Sequence, residues 1–191
     1  MKKLFVFVFI VLALFTQSIQ AQSSQLNGSA GLGYARFITD MDLSGLNKNG
    51  YSGTLRVMWQ PEHLLRVGLE TGYYRLYSFQ QENIQTEFGT ADAQSSLDAL
   101  PIFLNWAMQL TSDLEIFAGI GPTFLYTSFE SFGFEAKTTQ ISTSYIVGGN
   151  YTHDISPKIK LGGELKYYRI NKIEDGTLTL QFILAYKLFE W

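Results

Sequence analysis

Hydrophobic and polar residues alternate along most of the chain. The clearest stretch is the last one, in which Leu178, Leu180, Phe182, Leu184, Tyr186 and Leu188 alternate with Thr179, Gln181, Ile183, Ala185 and Lys187. A spacing of two residues places successive side chains on opposite faces of a β-strand. This segment is therefore predicted to be a strand with one continuous apolar face.

The same alternation recurs in seven further segments, so we predict eight strands. It is strong in residues 54–59, 65–70 and 159–168, and weaker in residues 26–37, 97–107, 114–126 and 141–151. Long and short connections mostly alternate: residues 38–50, 78–96, 127–138 and 171–176 form the long set, and residues 60–64, 108–113 and 152–158 form the short set. Transmembrane barrels have long outer loops and short periplasmic turns. The layout therefore predicts an antiparallel meander with its long loops outside.

The strand faces opposite the apolar ones carry glycines, small residues and charges of both signs. The charged residues are Arg56, Arg66, Glu70, Glu115, Lys160, Glu164 and Lys166. Eight closed strands leave a lumen just wide enough for side chains, which suits small residues and paired charges. The apolar face then meets lipid, and closure satisfies the backbone groups that lipid cannot.

We therefore predict an all-β fold, an eight-stranded antiparallel up-and-down transmembrane β-barrel with the seven charged residues as a network in its lumen. In one hairpin of this barrel, Arg56 is expected to lie opposite or diagonal to Glu70. The alternative fold is a soluble ligand-binding barrel with the apolar face inside, which would stay in the aqueous fraction without detergent.

The start of the chain has the organisation of a secretory signal peptide. Two lysines, Lys2 and Lys3, precede an apolar run of 12 residues from Leu4 to Phe15, and a polar segment then ends at Ala21. A membrane-spanning helix needs about 20 apolar residues, so the segment is expected to be cleaved rather than retained. We predict a signal peptide over residues 1–21 and one barrel domain over residues 22–191.

Three segments resemble strand signatures of the outer-membrane β-barrel family that includes PorT-like proteins and small OmpA- or OmpX-like barrels. These segments are Leu97–Leu104, Phe117–Pro122 and Leu184–Phe189. The resemblance covers the mature chain and implies a location in the outer membrane of a Gram-negative cell. In this family the last strand usually carries the signal for the barrel-assembly machinery and ends in an aromatic residue. The resemblance assigns that signal to Tyr186, Leu188 and Trp191, although Glu190 departs from the commoner Tyr-x-Phe ending.

Few residues offer catalytic or metal-binding chemistry. The chain has no cysteine, and its two histidines, His63 and His153, fall in predicted periplasmic turns. A catalytic base of a lipid-modifying barrel would instead sit near the outer interface, and a transition-metal site needs clustered cysteine or histidine. We therefore predict no enzymatic activity, no catalytic residue, no metal and no cofactor.

The predicted partners follow from the location. They are outer-membrane lipid and lipopolysaccharide, the barrel-assembly machinery during biogenesis, and a surface or periplasmic protein. Without Lys2 and Lys3 the chain has 12 basic and 17 acidic residues, a net charge of −5, which gives no support for nucleic-acid binding.

Three functions are compatible with this pattern. The first is a non-enzymatic barrel with a structural role or a binding role of its outer loops. The second, an accessory factor for protein secretion or envelope assembly, rests on the resemblance to PorT-like proteins. The third is a narrow channel for small solutes, which would need an open lumen.

Overall fold

The computed structural model of the chain describes residues 24–39, 45–61, 64–86, 89–131, 134–173 and 175–191. The predicted signal peptide, residues 1–21, lies outside the described residues. The described part of the chain has no helix that is long and apolar enough to cross a membrane.

Eight long strands form one sheet. They are β1 (Gln25–Ile38), β2 (Asn49–Gln60), β3 (Leu65–Thr86), β4 (Gly89–Gln109), β5 (Leu114–Ser131), β6 (Phe134–Ser156), β7 (Ile159–Ile170) and β8 (Gly176–Glu190). Each strand pairs antiparallel with the next, and β1 pairs antiparallel with β8 to close the ring. A further two-residue strand, Leu46–Asn47, pairs with β3. The predicted eight-stranded up-and-down barrel is confirmed.

The apolar face of the strands points outward and the polar face points into the lumen. On β8 the outward Phe182 is 63% exposed, whereas its neighbour Gln181 is 2% exposed. The outward face is exposed around the whole barrel, with Leu32 on β1, Leu55 on β2, Ile141 on β6 and Leu180 on β8 each more than 60% accessible. This is the orientation that the alternation predicts for a barrel surrounded by lipid.

The lumen also contains an apolar cluster that the sequence pattern did not predict. Tyr74, Tyr168, Phe103, Phe37 and Leu76 are among its most buried members. The rings of Tyr74 and Tyr168 lie 5.2 Å apart, and Phe103 packs edge-on against Tyr168 at 5.5 Å. Aromatic side chains therefore fill much of the space on the outer side of the lumen charges.

Strands β3 to β6 continue far beyond the other four. They have 22, 21, 18 and 23 residues, against 12 to 15 for the rest. The ladder between β3 and β4 runs to the Thr86 and Gly89 pair, and that between β5 and β6 runs to Ser131 and Phe134. We call this extension, residues 77–86, 89–97, 127–131 and 134–143, the protruding sheet.

The prediction of long loops at residues 78–96 and 127–138 is therefore wrong for most of these residues. Both faces of the protruding sheet are largely polar, as in Ser78, Gln80, Ser95 and Ser96, so the alternation that marks a strand is lost. Backbone hydrogen bonds do not depend on that alternation, and the ladders continue. The periplasmic turn predicted at residues 152–158 is also shorter, because β6 extends to Ser156.

Candidate functional site

Four charged side chains meet in the middle of the lumen. Arg56 Nη2 lies 2.6 Å from Glu70 Oε2 and 2.8 Å from Glu164 Oε2, while Lys166 Nζ lies 2.8 Å from Glu70 Oε1 and 2.7 Å from Glu164 Oε1. We call these four residues the central ion-pair group. Two cations thus alternate with two anions, so the group has no net charge.

The strand register brings the central ion-pair group together. Arg56 and Glu70 are directly opposite each other on β2 and β3, as the hairpin predicts. Glu164 and Lys166 are two residues apart on β7 and so face the same side, and closure of the ring places β7 across the lumen from β2 and β3. All four side chains are at most 6% exposed. Burial at this level makes each charge dependent on its partners.

Neighbouring side chains fix the orientation of the group. Arg56 Nε donates a hydrogen bond of 2.6 Å to Glu70 Oε2, and Asn105 Nδ2 donates one of 2.9 Å to the same oxygen. The Arg56 guanidinium also lies 4.2 Å from the centre of the Phe117 ring, within the range of a cation–π contact. Each oxygen of Glu164 lies against one cation, at 2.8 Å from Arg56 Nη2 and 2.7 Å from Lys166 Nζ, the distances of charge-assisted contacts.

A second ion pair lies nearer the periplasmic end. Arg66 Nη1 is 2.7 Å from Glu115 Oε2, and Asn150 Nδ2 donates to Glu115 Oε1 at 3.0 Å. Arg66 Nε donates to Gln60 Oε1 at 2.9 Å. The Arg66 side chain is 19% exposed, so this pair lies between the buried group and the lumen mouth.

Lys160, the remaining charged residue that was predicted to face the lumen, does not join either group. Its Nζ lies 3.1 Å from Asp154 Oδ1 and donates to the Ser112 carbonyl oxygen at 3.2 Å. The side chain is 31% exposed, and its carboxylate partner is 58% exposed. Lys160 therefore belongs to the rim of the periplasmic mouth, and the predicted single network divides into three parts.

Sequence reasoning missed the neutral partners of these charges. Asn105, Asn150 and Gln60 all face the lumen and are at most 7% exposed. Gln181 also faces the lumen, but its partners are neutral: it accepts a hydrogen bond from Thr54 and donates one to Ser52. The available signal was the position of each amide on the inward side of a strand, but this position alone does not identify the charge that it contacts.

The residues of the predicted assembly signal lie together at the periplasmic end of the last strand. Tyr186, Leu188 and Trp191 are 43%, 42% and 66% exposed. The backbone of Trp191 exchanges hydrogen bonds of 2.9 and 3.1 Å with Ser24. All three side chains are thus accessible from outside the folded barrel.

No constellation of the described side chains has the form of a metal site, since no three His, Cys, Asp or Glu residues among them are grouped to hold an ion. His153 is 75% exposed and lies 3.9 Å from Asp113, whereas His63 lies outside the described residues. The ion pairs and the aromatic cluster described above instead fill the lumen of the barrel.

A closed antiparallel barrel with an apolar exterior and a polar interior defines the class of transmembrane β-barrels. The sequence matches the model of the outer membrane protein beta-barrel domain over residues 7–186. The chain therefore belongs to this family of outer-membrane β-barrel proteins. Membership places the barrel in the outer membrane.

Solved barrels share this fold at low sequence identity. The attachment invasion locus protein Ail of Yersinia pestis, in complex with the heparin analogue sucrose octasulfate, is 15% identical with a TM-score of 0.59, over 86% of this chain and 99% of Ail. Neisserial surface protein A is 13% identical with a TM-score of 0.50, over 87% and 99%. A major outer membrane protein of Thermus thermophilus is 13% identical with a TM-score of 0.50, over 86% and 99%. At such identities the likeness concerns the fold.

No curated protein matches the sequence significantly. The family match and the solved barrels do not distinguish PorT-like proteins from other small barrels. A role in secretion therefore stays a prediction.

Proposed function

We propose that the chain is a non-enzymatic outer-membrane barrel that does not conduct solutes and that binds a partner outside the cell through its protruding sheet. The filled lumen carries the first half of this proposal. Glu70, Lys166 and Tyr74 are each at most 1% exposed, although all three point into the barrel. A lumen of eight strands has no room for a water column beside such side chains.

Conductance across a planar bilayer tests the closed lumen. We expect the refolded protein to leave the current at the level of a protein-free bilayer, with a porin as the positive control. Reproducible current steps from the wild-type protein would favour the narrow channel instead.

The protruding sheet supports the second half of the proposal because one of its edges has no strand partner among the described residues. β7 ends at Ile170, which pairs with Ser144 of β6. Beyond that point Thr143 O accepts a hydrogen bond from Asn171 N at 3.0 Å. From residue 141 outward to residue 134, the β6 edge that faces away from β5 has no strand partner in the described part of the chain.

A free edge presents a row of backbone donors and acceptors that an incoming strand can pair with. The inward side of the same region carries Phe129 and Phe134, which are 45% and 80% exposed. Adding a strand at the edge of β6 would bring partner side chains beside Phe134. The partner that fits is thus an extended polypeptide segment with an apolar residue at this position.

Photo-crosslinking on intact cells tests this mode of binding. A photoreactive residue at Thr139, on the β6 edge, is expected to crosslink to one extended segment of a surface protein. The matched control is the same residue at Ser96, which faces the same side but lies on β4 between two paired strands. Equal yields at both positions would argue against edge pairing.

A comparison of secreted proteins separates this proposal from the accessory function. Deletion of the gene is expected to leave the set of secreted proteins unchanged. Loss of several secreted proteins from the medium, restored by the intact gene, would favour a role in secretion.

A further inference from the structure

An open groove runs along the lipid-facing side of β6, β7 and β8. Its lower part, of about 590 Å³, is lined by Gly149, Gly163, Leu165 and Leu180 among others. Its upper part, of about 430 Å³, is lined by Tyr145, Arg169 and Asn171. Val147 and Tyr167 line both parts, so the two form one continuous depression.

Missing side chains create the lower part of the groove. Gly149 and Gly163 occupy outward positions, where the neighbouring strands carry large apolar residues. A Cβ atom at Gly163 would meet no heavy atom closer than Gln181 O at 3.9 Å, and one at Gly149 would lie 3.3 Å from Glu115 O. Space is therefore open at Gly163, whereas a side chain at Gly149 would require a small shift of the neighbouring backbone.

The upper end of the groove carries an exposed cation. Arg169 is exposed, and its side chain makes no hydrogen bond or ion pair with any described residue. By contrast, Arg75 on β3 pairs with Asp98 at 2.9 Å. Tyr145 and Tyr167, which flank Arg169 in the groove, are 48% and 37% exposed. Tyrosine favours the depth at which lipid headgroups meet hydrocarbon.

The stretch of the groove between Gly163 and Arg169 has the depth of one lipid leaflet. Gly163 and Arg169 are six residues apart, which is about 20 Å along a strand. With strands tilted by about 45°, this length corresponds to a depth of about 14 Å, close to half of the hydrocarbon core of about 30 Å. Arg169 adjoins the outer end of β7, on the side of the protruding sheet. This stretch therefore spans the outer leaflet, and the lower part of the groove continues to Leu114, the first residue of β5 after a periplasmic turn.

We infer that this groove binds one acyl chain of a lipopolysaccharide molecule and that Arg169 binds a phosphate of its headgroup. A guanidinium matches a phosphate with two parallel hydrogen bonds, and the positive charge of Arg169, which no described residue pairs with, complements it. Arg36 of β1 is a second exposed cation beside the groove, since it pairs with Leu178, which lines the lower part. Lipopolysaccharide is the phosphate-bearing lipid of the outer leaflet, which fits the position of the cation.

Lipopolysaccharide retention measures this binding. The protein is refolded in zwitterionic detergent micelles, titrated with purified lipopolysaccharide, and the bound molecules are counted by native mass spectrometry. One molecule per barrel is expected for the wild type. Arg169→Gln, which removes the phosphate partner, and Gly163→Leu, which fills the groove, are each expected to weaken binding at least tenfold.

Two matched variants serve as controls. Lys158→Gln removes the same charge at a periplasmic turn, and Gly53→Leu adds the same side chain on the outward face of β2; both are expected to bind within twofold of the wild type. Equal weakening by Lys158→Gln would show that lipopolysaccharide binding depends only on net charge, and it would overturn the proposed binding site at Arg169. Equal retention of phosphatidylglycerol at the same mole fraction would overturn the assignment to lipopolysaccharide, and binding by Arg169→Gln within twofold of the wild type would overturn the phosphate contact.

Discussion

Arg56 and Glu70 face each other across the β2–β3 hairpin, and the Arg56 Nη2 and Glu70 Oε2 atoms are 2.6 Å apart in the centre of the barrel. Lys166 reaches the other oxygen of Glu70 from β7 at 2.8 Å. The Glu70 carboxylate thus joins two cations that come from opposite sides of the lumen. Its loss would leave Arg56 and Lys166 to share Glu164 alone.

Removing Glu70 should therefore harm the barrel more than removing the Arg56–Glu70 pair as a whole. Glu70→Leu leaves an excess buried cation, which costs about 3 to 5 kcal/mol. The double change Arg56→Leu with Glu70→Leu leaves Lys166 paired with Glu164 and no net charge, so it should be closer to the wild type. Urea titration in lipid vesicles gives the free energies of unfolding.

The order of the two variants is the informative result. Equal free energies of unfolding for Glu70→Leu and the double variant would show that the contact between Arg56 and Glu70 does not stabilise the barrel. Lys166→Met provides an independent comparison, because it leaves Arg56 between two carboxylates and should cost an amount similar to Glu70→Leu.

The barrel was predictable because lipid imposes its own pattern on the sequence. A barrel surrounded by lipid needs one apolar face on each strand. In β8 this face runs from Leu178 to Leu188. The pattern weakens in β4, where Phe103 fills the lumen and Leu104 meets lipid, so that both faces are apolar. In the protruding sheet water contacts both faces, and no alternation is required. The extra length of β3 to β6 therefore could not be predicted from periodicity.

The sequence predicted which charged residues face the lumen, but it did not predict all of the contacts between them. The alternation along each strand assigns every charged residue to the inward face. The contact between Arg56 and Glu70 follows from the pairing within a single hairpin. The contacts of Glu164 and Lys166 with that hairpin depend on ring closure across more than 90 residues of sequence. Lys160 has the same phase as Glu164 but lies four residues nearer the turn, so it reaches Asp154 at the rim instead.

Arginine substitutions along β8 should separate the membrane interior from its interface. Phe182 and Leu188 share the outward face of β8 and are 63% and 42% exposed. Phe182→Arg places a charge near mid-membrane and should cost about 2 to 4 kcal/mol, whereas Leu188→Arg near the periplasmic interface should cost about 0 to 1 kcal/mol. The mobility difference between unheated and boiled samples on a gel reports folding in vesicles. Equal costs would contradict the proposed depth of Phe182.

Adding one methyl group should destabilise the barrel at Gly119 but not at Gly163. A Cβ atom at Gly119 would lie 1.8 Å from Asn105 Oδ1. Gly119→Ala would therefore displace Asn105 from Glu70, at a cost of about 1 to 3 kcal/mol. At Gly163 the space is open, and alanine restricts the unfolded chain, so Gly163→Ala should be neutral or stabilising by up to about 1 kcal/mol. Urea titration in phosphatidylcholine vesicles measures both, and destabilisation of equal size would contradict the role of Gly119 as a space for Asn105.

The assembly signal should act on folding in cells and leave the folded barrel unchanged. The Trp191 side chain is 66% exposed and its backbone bonds to Ser24 do not require the indole, so Trp191→Ala should alter the free energy of unfolding by less than about 0.5 kcal/mol. If the barrel-assembly machinery recognises Tyr186, Leu188 and Trp191, this variant should yield severalfold less heat-modifiable protein in outer-membrane fractions. Phe189→Ala is the matched control, since Phe189 is 64% exposed on the same strand but is not part of the predicted signal. Equal loss with Phe189→Ala would show that the machinery responds to apolar area at the end of β8 rather than to those three residues.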